Sequence, residues 1–537
     1  VNRLPAVLLV LACLLIPCTT AHAQPEASAL VQARVGQLRN GGEVKIGKAV
    51  LASSVVLPDF YERREFRLAW TDPRNVEDLL QAVRDTAGDG LDPQDYHLAA
   101  LEALRGAPPG AERDADLDLL ATDALVRVMY HLRFGKVDVQ RIDPNWNFKR
   151  DFEGVLQAAP ALAMEEALAQ RRIAESLEVL RPAHVMYGRL RAALAAYRLI
   201  EKEGGWARLP AGKALKPGET DPRVPALRER LRREGDFEGP PGQGSAYDEA
   251  TQAAVQRFQA RHGLKPDGVL GGRTLRALNL TVRQKVDRLR LSMERGRLLL
   301  HDLPERYVLV NVPAFRLYYT DGRGDSFATN VVVGKMIAQT PIFRAEITHL
   351  VLNPSWTVPP GIMERDVIPG LRRDPNYLNK RGLRRVGNQV VQDPGPDNAL
   401  GRIKIMFPNL HLVYLHDTPR QDLFDAEART FSSGCIRVQN VFDLAERLAD
   451  DPAWSKAAVL EAVETGRTRT LNLKGRVPVM LVYWTAAVAP DGRTWFYEDI
   501  YGRDAKELAA LNGPSRVPRE AVAAALRAVR TPAAAAP

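Results

Sequence analysis

Apolar residues recur at three- and four-residue spacing from about residue 46 to 205, the period of amphipathic helices. In VEDLLQAVRDTAGDGLDPQDY one such helix ends at Gly88-Asp89-Gly90, and a turn follows at Asp92-Pro93. ALVRVMYHLRFGKV and HVMYGRLRAALAAYRLI continue the pattern. Nothing in this block gathers reactive side chains, so it reads as a scaffold. Residues 24 to about 45 are polar and rich in Ala and Gly, which predicts a loosely held start. A stretch with Pro and Gly, ARLPAGKALKPGETDPR, leads to a second helical block at 223–282. There Val224, Leu227 and Leu231 share one face. Thr251, Val255 and Phe258 share a face of a helix expected from Tyr247 to His262. Ser245-x-x-Asp248 before it has the form of a capping box, and GLKPDGVLGGRTLRALN supplies a turn and a third short helix.

After a basic helix near 284–300 the period changes from helical to alternating. RYVLVNVPAFRLYYTDGRGDSFATNVVVGK reads as short strands around an Asp321-Gly322 turn. EITHLVLNPSW, RIKIMFP, HLVYLHD and VPVMLVYWTAAVAPDGRTWFYED continue the β pattern. Between Trp356 and Phe407 lies a long interruption rich in charge and turns, read as a functional lid with a helix ending near Asp374-Pro375. The last thirty or so residues read as a helix and a frayed tail.

Composition changes this picture at the N-terminus and at the cysteines. Arg3, an apolar run from Leu4 to Ile16, Pro17 and then Ala21-His22-Ala23 follow the order of a secretory signal, with cleavage expected after Ala23. A lipoprotein reading at Cys18 is the alternative, disfavoured by Pro17. The apolar run is too short to span a bilayer and no later one is longer, so an exported, periplasmic protein without a transmembrane segment is expected. The chain has three cysteines, Cys13, Cys18 and Cys435, and cleavage would leave Cys435 alone. An unpaired cysteine in an exported chain is a buried small hydrophobe, an intermolecular link or a reactive thiol. Lys and Arg exceed Asp and Glu by 74 − 65 = 9, and they are scattered, so no nucleic-acid partner is indicated.

Two stretches carry a resemblance. Ala254, Val255, Phe258, Gln259, Gly263, Leu264, Asp267, Gly268, Gly271, Thr274, Ala277 and Leu278 match, in register, the pattern of the peptidoglycan-binding three-helix module. Such modules bind cell-wall material or serve as spacers. A cysteine nucleophile needs a base within reach and donors for the oxyanion. Eight of the nine histidines lie beyond residue 23: His97, His131, His184, His262, His301, His349, His411 and His416. No two have metal-ligand spacing on a helix, so neither a metal nor another cofactor is expected. His411 and His416 flank one β segment and face opposite ways, Tyr414 sharing the face of His416. Spacing alone does not choose between them.

YLHDTP followed by SSGCIRV resembles the signature of the L,D-transpeptidases, the YkuD-type catalytic domain. The resemblance implies that Cys435 is the acylated nucleophile and His416 its base, with Ser432, Gly434, Ile436 and Arg437 completing the motif. The Asp417 backbone carbonyl would orient the imidazole. Gly434 would let its own N–H and that of Cys435 point at the oxyanion. Arg437 would either neutralise a substrate carboxylate or hold the cysteine loop. Trp356 and Tyr414 would face substrate or serve the core, and Ser432 and Ser433 would lie at the substrate. Asp417 and Ser433 stand where the commoner family form has Gly and His, as in the large periplasmic members that share NPxWxVPP, here Asn353 to Pro360.

The expected architecture is a multidomain α+β chain. Its parts are a signal peptide (1–23), a mainly helical scaffold (24–222), a three-helix peptidoglycan-binding-like module (223–282) and a connecting helix (283–304). A mainly-β L,D-transpeptidase catalytic domain (305–505), with a helical capping insertion at about 357–410, and a C-terminal helix and tail (506–537) complete it. The implied reaction is attack of Cys435 on the L-centre carbonyl of meso-diaminopimelate in a tetrapeptide stem. D-Alanine leaves, and the amine of a second stem takes the acyl group. Water as acceptor would make it an L,D-carboxypeptidase, and a cell-wall-binding protein without catalysis is the reading from another class. A sortase-like acyltransferase lacks its Thr-x-Thr-Cys context here. Implied partners are peptidoglycan stems as donor and acceptor, other cell-wall synthesis enzymes, and carbapenem inhibitors.

Overall fold

The computed structural model describes residues 20–148, 160–240 and 244–514. Most of the expected signal and the tail beyond 514 lie outside these residues. The stretch from residue 24 to 39 is not loosely held. Helix α1 (Thr20–Arg39) runs through the segment expected to be irregular and buries Ala27, Val31, Val35 and Leu38. Those four residues recur at helical spacing. They pack into one core with the long helix α2 (Ala111–Phe134), a contact that outweighs the polar composition around them.

Helix α3 (Val185–Lys202) leaves that core. Its Leu190, Leu194 and Tyr197 join the hydrophobic core of the β domain instead. The three-helix module consists of α4 (Val224–Arg232), α5 (Glu249–Arg261) and α6 (Gly272–Leu278) around Val224, Leu227, Leu231, Val255, Phe258 and Leu278. Its central helix is capped by Asp248, whose carboxylate accepts from Thr251 N–H at 2.9 Å, and not by Ser245. The side chain one position before the helix reaches the third helical N–H, and Ser245 stands three residues too early.

The basic helix near 284–300 is α7 (Val282–Arg297), and it is the axle of the molecule. Lys285, Arg290, Arg295 and Arg297 are buried, and between them they answer the module, the scaffold and the C-terminal helix. Lys285 pairs with Glu234 of the module, and Arg290 donates to the Gly90 carbonyl of the scaffold. Arg295 pairs with Asp504 and Glu507 of α10 (Asp504–Asn512), and Arg297 pairs with Glu294 of α7 itself and donates to the Asp89 carbonyl of the scaffold.

The β domain carries a nine-stranded sheet: β1 (Tyr307–Asn311), β2 (Arg316–Thr320), β3 (Ser326–Gly334), β4 (Phe343–Leu352), β5 (Ile403–Met406), β6 (Leu415–His416), β7 (Thr430–Ser432), β8 (Ile436–Val438) and β9 (Arg469–Val482). The order is β7-β3-β8-β6-β5-β4-β9-β1-β2, and β2 also pairs with β3, so the sheet closes on itself. Its inner face buries Val310, Val331, Leu350, Ile405, Leu415 and Ile436 together with α8 (Val441–Ala449) and α9 (Lys456–Glu464). Beside them α10 docks Leu511 onto the scaffold core.

Between β4 and β5 lies the insertion. A helical run ends at Arg373 with Asp374 as its cap, where a stop was expected. The rest is a small sheet in which Gln389–Gln392 pairs with both Trp356–Thr357 and Leu383–Val386. Val358, Val367, Leu383 and Val390 give the insertion its own core. It is thus part β, and it ends before Ile403 and not at 410, because Ile403–Met406 is an interior strand paired on both sides. HLVYLHD is likewise mostly loop. Only Leu415 and His416 form strand, Leu412 has a φ of 54°, and the His411 ring meets that of Phe343 at a tilt of 55°.

Candidate active site

The site is built by register. β6 and β8 run parallel with Leu415 opposite Ile436 and His416 opposite Arg437, and antiparallel β5 places Lys404 opposite His416. Alternate residues face the same way. Leu415, Ile436 and Ile405 therefore point into the core, where each is fully buried. Arg437, His416 and Lys404 line up on the other face. Just ahead of β6 and β8, two residues before His416 and Arg437, Tyr414 and Cys435 join them, fixed by the bond from Ile436 N–H to the Tyr414 carbonyl at 3.0 Å.

Cys435 is the one cysteine among the described residues and is free. Burial pushes its thiol up, while hydrogen bonds from the Tyr414 main chain and hydroxyl and the charges of Lys404 and Arg437 pull the other way. The Tyr414 hydroxyl, itself pushed up by burial and by Cys435, also takes a hydrogen bond from Trp356. Lys404 Nζ sits 4.0 Å from the Tyr414 ring centroid, and the ring meets His416 edge-on at 5.6 Å. Trp356 and Tyr414 thus belong to the site, not to the core alone.

His416 is buried, and burial, reinforced by Arg437, pulls its imidazole down to about 3. Its Nδ1 lies 2.5 Å from the Asp417 carbonyl, and the Leu400 carbonyl also bonds to the ring. Nδ1 is then the protonated nitrogen of the neutral ring, and Nε2 the unprotonated one. The Asp417 side chain has a separate task. Its Oδ2 accepts from Arg402 N–H at 2.9 Å, over Gly401, whose φ is +63° and where a Cβ would fall 2.5 Å from the carboxyl. Asp417 thereby holds the turn that presents the Leu400 carbonyl.

The cysteine loop is tied internally. Ser432 Oγ donates to the Cys435 carbonyl at 2.5 Å and accepts from Gly434 N–H at 3.1 Å. Thr340 Oγ1 donates to the Gly434 carbonyl and accepts from Gly334 N–H, both at 2.9 Å. Tyr501 OH donates to the Gly334 carbonyl at 2.7 Å. Two expectations change. Gly434, at φ 114°, makes the turn possible, but its N–H is taken by Ser432. Ser432 is buried and braces the loop, whereas exposed Ser433 accepts from Arg365 of the insertion at 2.9 Å.

Family comparison bears on this arrangement. Residues 305–471 match the model described as "L,D-transpeptidase catalytic domain". The chain carries a YkuD-type L,D-transpeptidase catalytic domain. Residues 220–278 match "Putative peptidoglycan binding domain", and 56–194 match "Scaffold domain". A Haemophilus influenzae protein named "Putative L,D-transpeptidase" is 31% identical over 227 residues, 38% of this chain and 46% of that one. The chain thus spans about half the length of the curated relative it matches. Among solved structures, an L,D-transpeptidase from Xylanimonas cellulosilytica is 18% identical with a TM-score of 0.18 over 51% of this chain and 99% of the other. One from Stackebrandtia nassauensis is 15% identical with a TM-score of 0.22 over 51% and 96%.

The catalytic domain holds site residues that the sequence reading missed. Lys404 had a readable signal: in RIKIM the isoleucines alternate with it, so a lone cation faces the side away from the core. Thr340, Tyr501 and Arg365 had none, because each reaches the cysteine loop from a distant segment. No group of three or more His, Cys, Asp or Glu among the described residues could hold a metal ion, and no helix there is long and apolar enough to cross a membrane.

Proposed function

We propose that this protein cross-links peptidoglycan through a thioester on Cys435. The observation that carries the reading is the shared face of β6 and β8, on which an unpaired thiol, a neutral histidine and Tyr414 converge. Burial keeps the resting thiol protonated, so Nε2 of His416 removes its proton as sulfur attacks the L-centre carbonyl of meso-diaminopimelate in a tetrapeptide stem. The Cys435 N–H faces the oxyanion, the C–N bond breaks, and D-alanine leaves with the proton returned by His416. The side-chain amine of a second stem then attacks the thioester, His416 takes its proton, and the thiol is restored. Water in place of the amine gives the carboxypeptidase outcome at the same site.

The insertion touches the cysteine loop through Arg365 and supports a cap that limits water while stems exchange. A periplasmic location, a glycan-holding role for the three-helix module and acylation of Cys435 by carbapenems belong to the same proposal. The test is incubation with purified disaccharide-tetrapeptide and mass spectrometry of the products. Wild type is expected to give a diaminopimelate-linked dimer, with tripeptide as the hydrolytic by-product, and Cys435→Ala neither. Wild type that yields neither product with its thiol still titratable, or dimer formed by Cys435→Ala, overturns the proposal.

A further inference from the structure

Two cations on the active-site face have no anion to answer them. Lys404, His416 and Arg437 stand side by side across β5, β6 and β8, with the imidazole between the positive groups. Among the described residues neither charged head makes a hydrogen bond or ion pair, and Arg437 Nε is buried without an acceptor. The neighbouring carboxylate, Asp417, turns its oxygens to Arg402 N–H and Gln421. By contrast, buried Lys285 is paired with Glu234, Arg295 with Asp504 and Glu507, and Arg297 with Glu294. A partly buried guanidinium with no acceptor is destabilising. A carboxylate that arrives with substrate would complete it.

We infer that Lys404 and Arg437 form the receptor for the carboxylate of the residue that leaves the donor stem, and so set the stem length the site accepts. This rests on the function proposed above. Arg437 lies two residues, roughly 7 Å, along extended chain from Cys435, so it stands on the same face as the thiol and beyond it. A stem longer by one residue carries its carboxylate about 3.8 Å farther on and sets an uncharged amide against both cations.

The experiment compares two synthetic disaccharide-tetrapeptides, one ending in the carboxylate and one in the carboxamide, at concentrations below saturation. The readout is the ratio of the two rates of terminal-residue release, which partial unfolding of a variant does not alter. Wild type is expected to prefer the carboxylate roughly 10- to 100-fold. Arg437→Gln and Lys404→Met are each expected to bring the ratio towards one, and Arg437→Lys to keep much of the preference. A wild-type ratio near one, or variants that slow both stems while the ratio stays, overturns the receptor. Release from neither stem by wild type, its thiol intact, overturns instead the function on which the receptor rests.

Discussion

A thiol flanked by two cations would ordinarily be acidified, yet burial outweighs them at Cys435. His416, pulled down to about 3 and so neutral, supplies no imidazolium to stabilise a thiolate. The resting pair is therefore thiol and imidazole, with proton transfer coupled to attack. The sign of the pH dependence follows: the thiolate fraction of Cys435 grows only as pH rises past the ordinary thiol range. Alkylation by iodoacetamide should keep accelerating above pH ~9, with no plateau near neutrality. Rates measured from pH 5 to 10 would check this, and a plateau near pH 6 to 7 would indicate a preformed ion pair. Cys435 and His416 were legible because a short motif carries both. The outward side of Lys404 was readable too, but its place beside His416 and the engagement of the Gly434 N–H were not, since they depend on which strand lies beside which and which hydroxyl gets there first.

At the scale of elements, periodicity served well wherever one face was buried, as in α5 and in β1 to β3. It failed in three places for physical reasons. The small apolar residues of α1 sit among polar ones, so only a tertiary partner reveals the face. The hairpin Leu383–Val386 with Gln389–Gln392 is dense in charge on its open side, which masks the alternation. The segment before His416 looks like strand but carries exposed Leu410 and Leu412, which no sheet neighbour covers. The insertion has its own core, and so it can be removed without opening the main sheet. Shortening 362–395 to a tight turn should leave Cys435 reactive and the domain folded, and should raise the ratio of hydrolysis to cross-linking. An unchanged ratio on product analysis would remove the cap from the account. The narrower variant Arg365→Ala, which deletes the contact to Ser433, should move the ratio in the same direction by a smaller amount.

For the molecule as a whole, domains legible as separate blocks in sequence are joined through buried charge. Burial works against the charge on Glu234, but Arg261, Lys285 and Arg230 together hold it well below the usual carboxylate range. That cluster binds the three-helix module to α7, and the alternation of apolar residues that revealed each unit says nothing of such a junction. Glu234→Gln leaves three buried cations with Asp236 as their remaining carboxylate and should cost roughly 3–5 kcal/mol, read as a fall in denaturation midpoint. A midpoint unchanged by the substitution would show that the module is held by its apolar contacts instead. All of this positions one thiol, and the central claim is that this thiol carries the stem. The most direct measurement is the intact mass of the protein quenched during turnover of disaccharide-tetrapeptide. The account predicts an adduct equal to the stem less its terminal alanine, lodged on Cys435, absent from Cys435→Ala and discharged by added amine acceptor. Turnover with no adduct at any quench time, or an adduct that persists in Cys435→Ala, would contradict it.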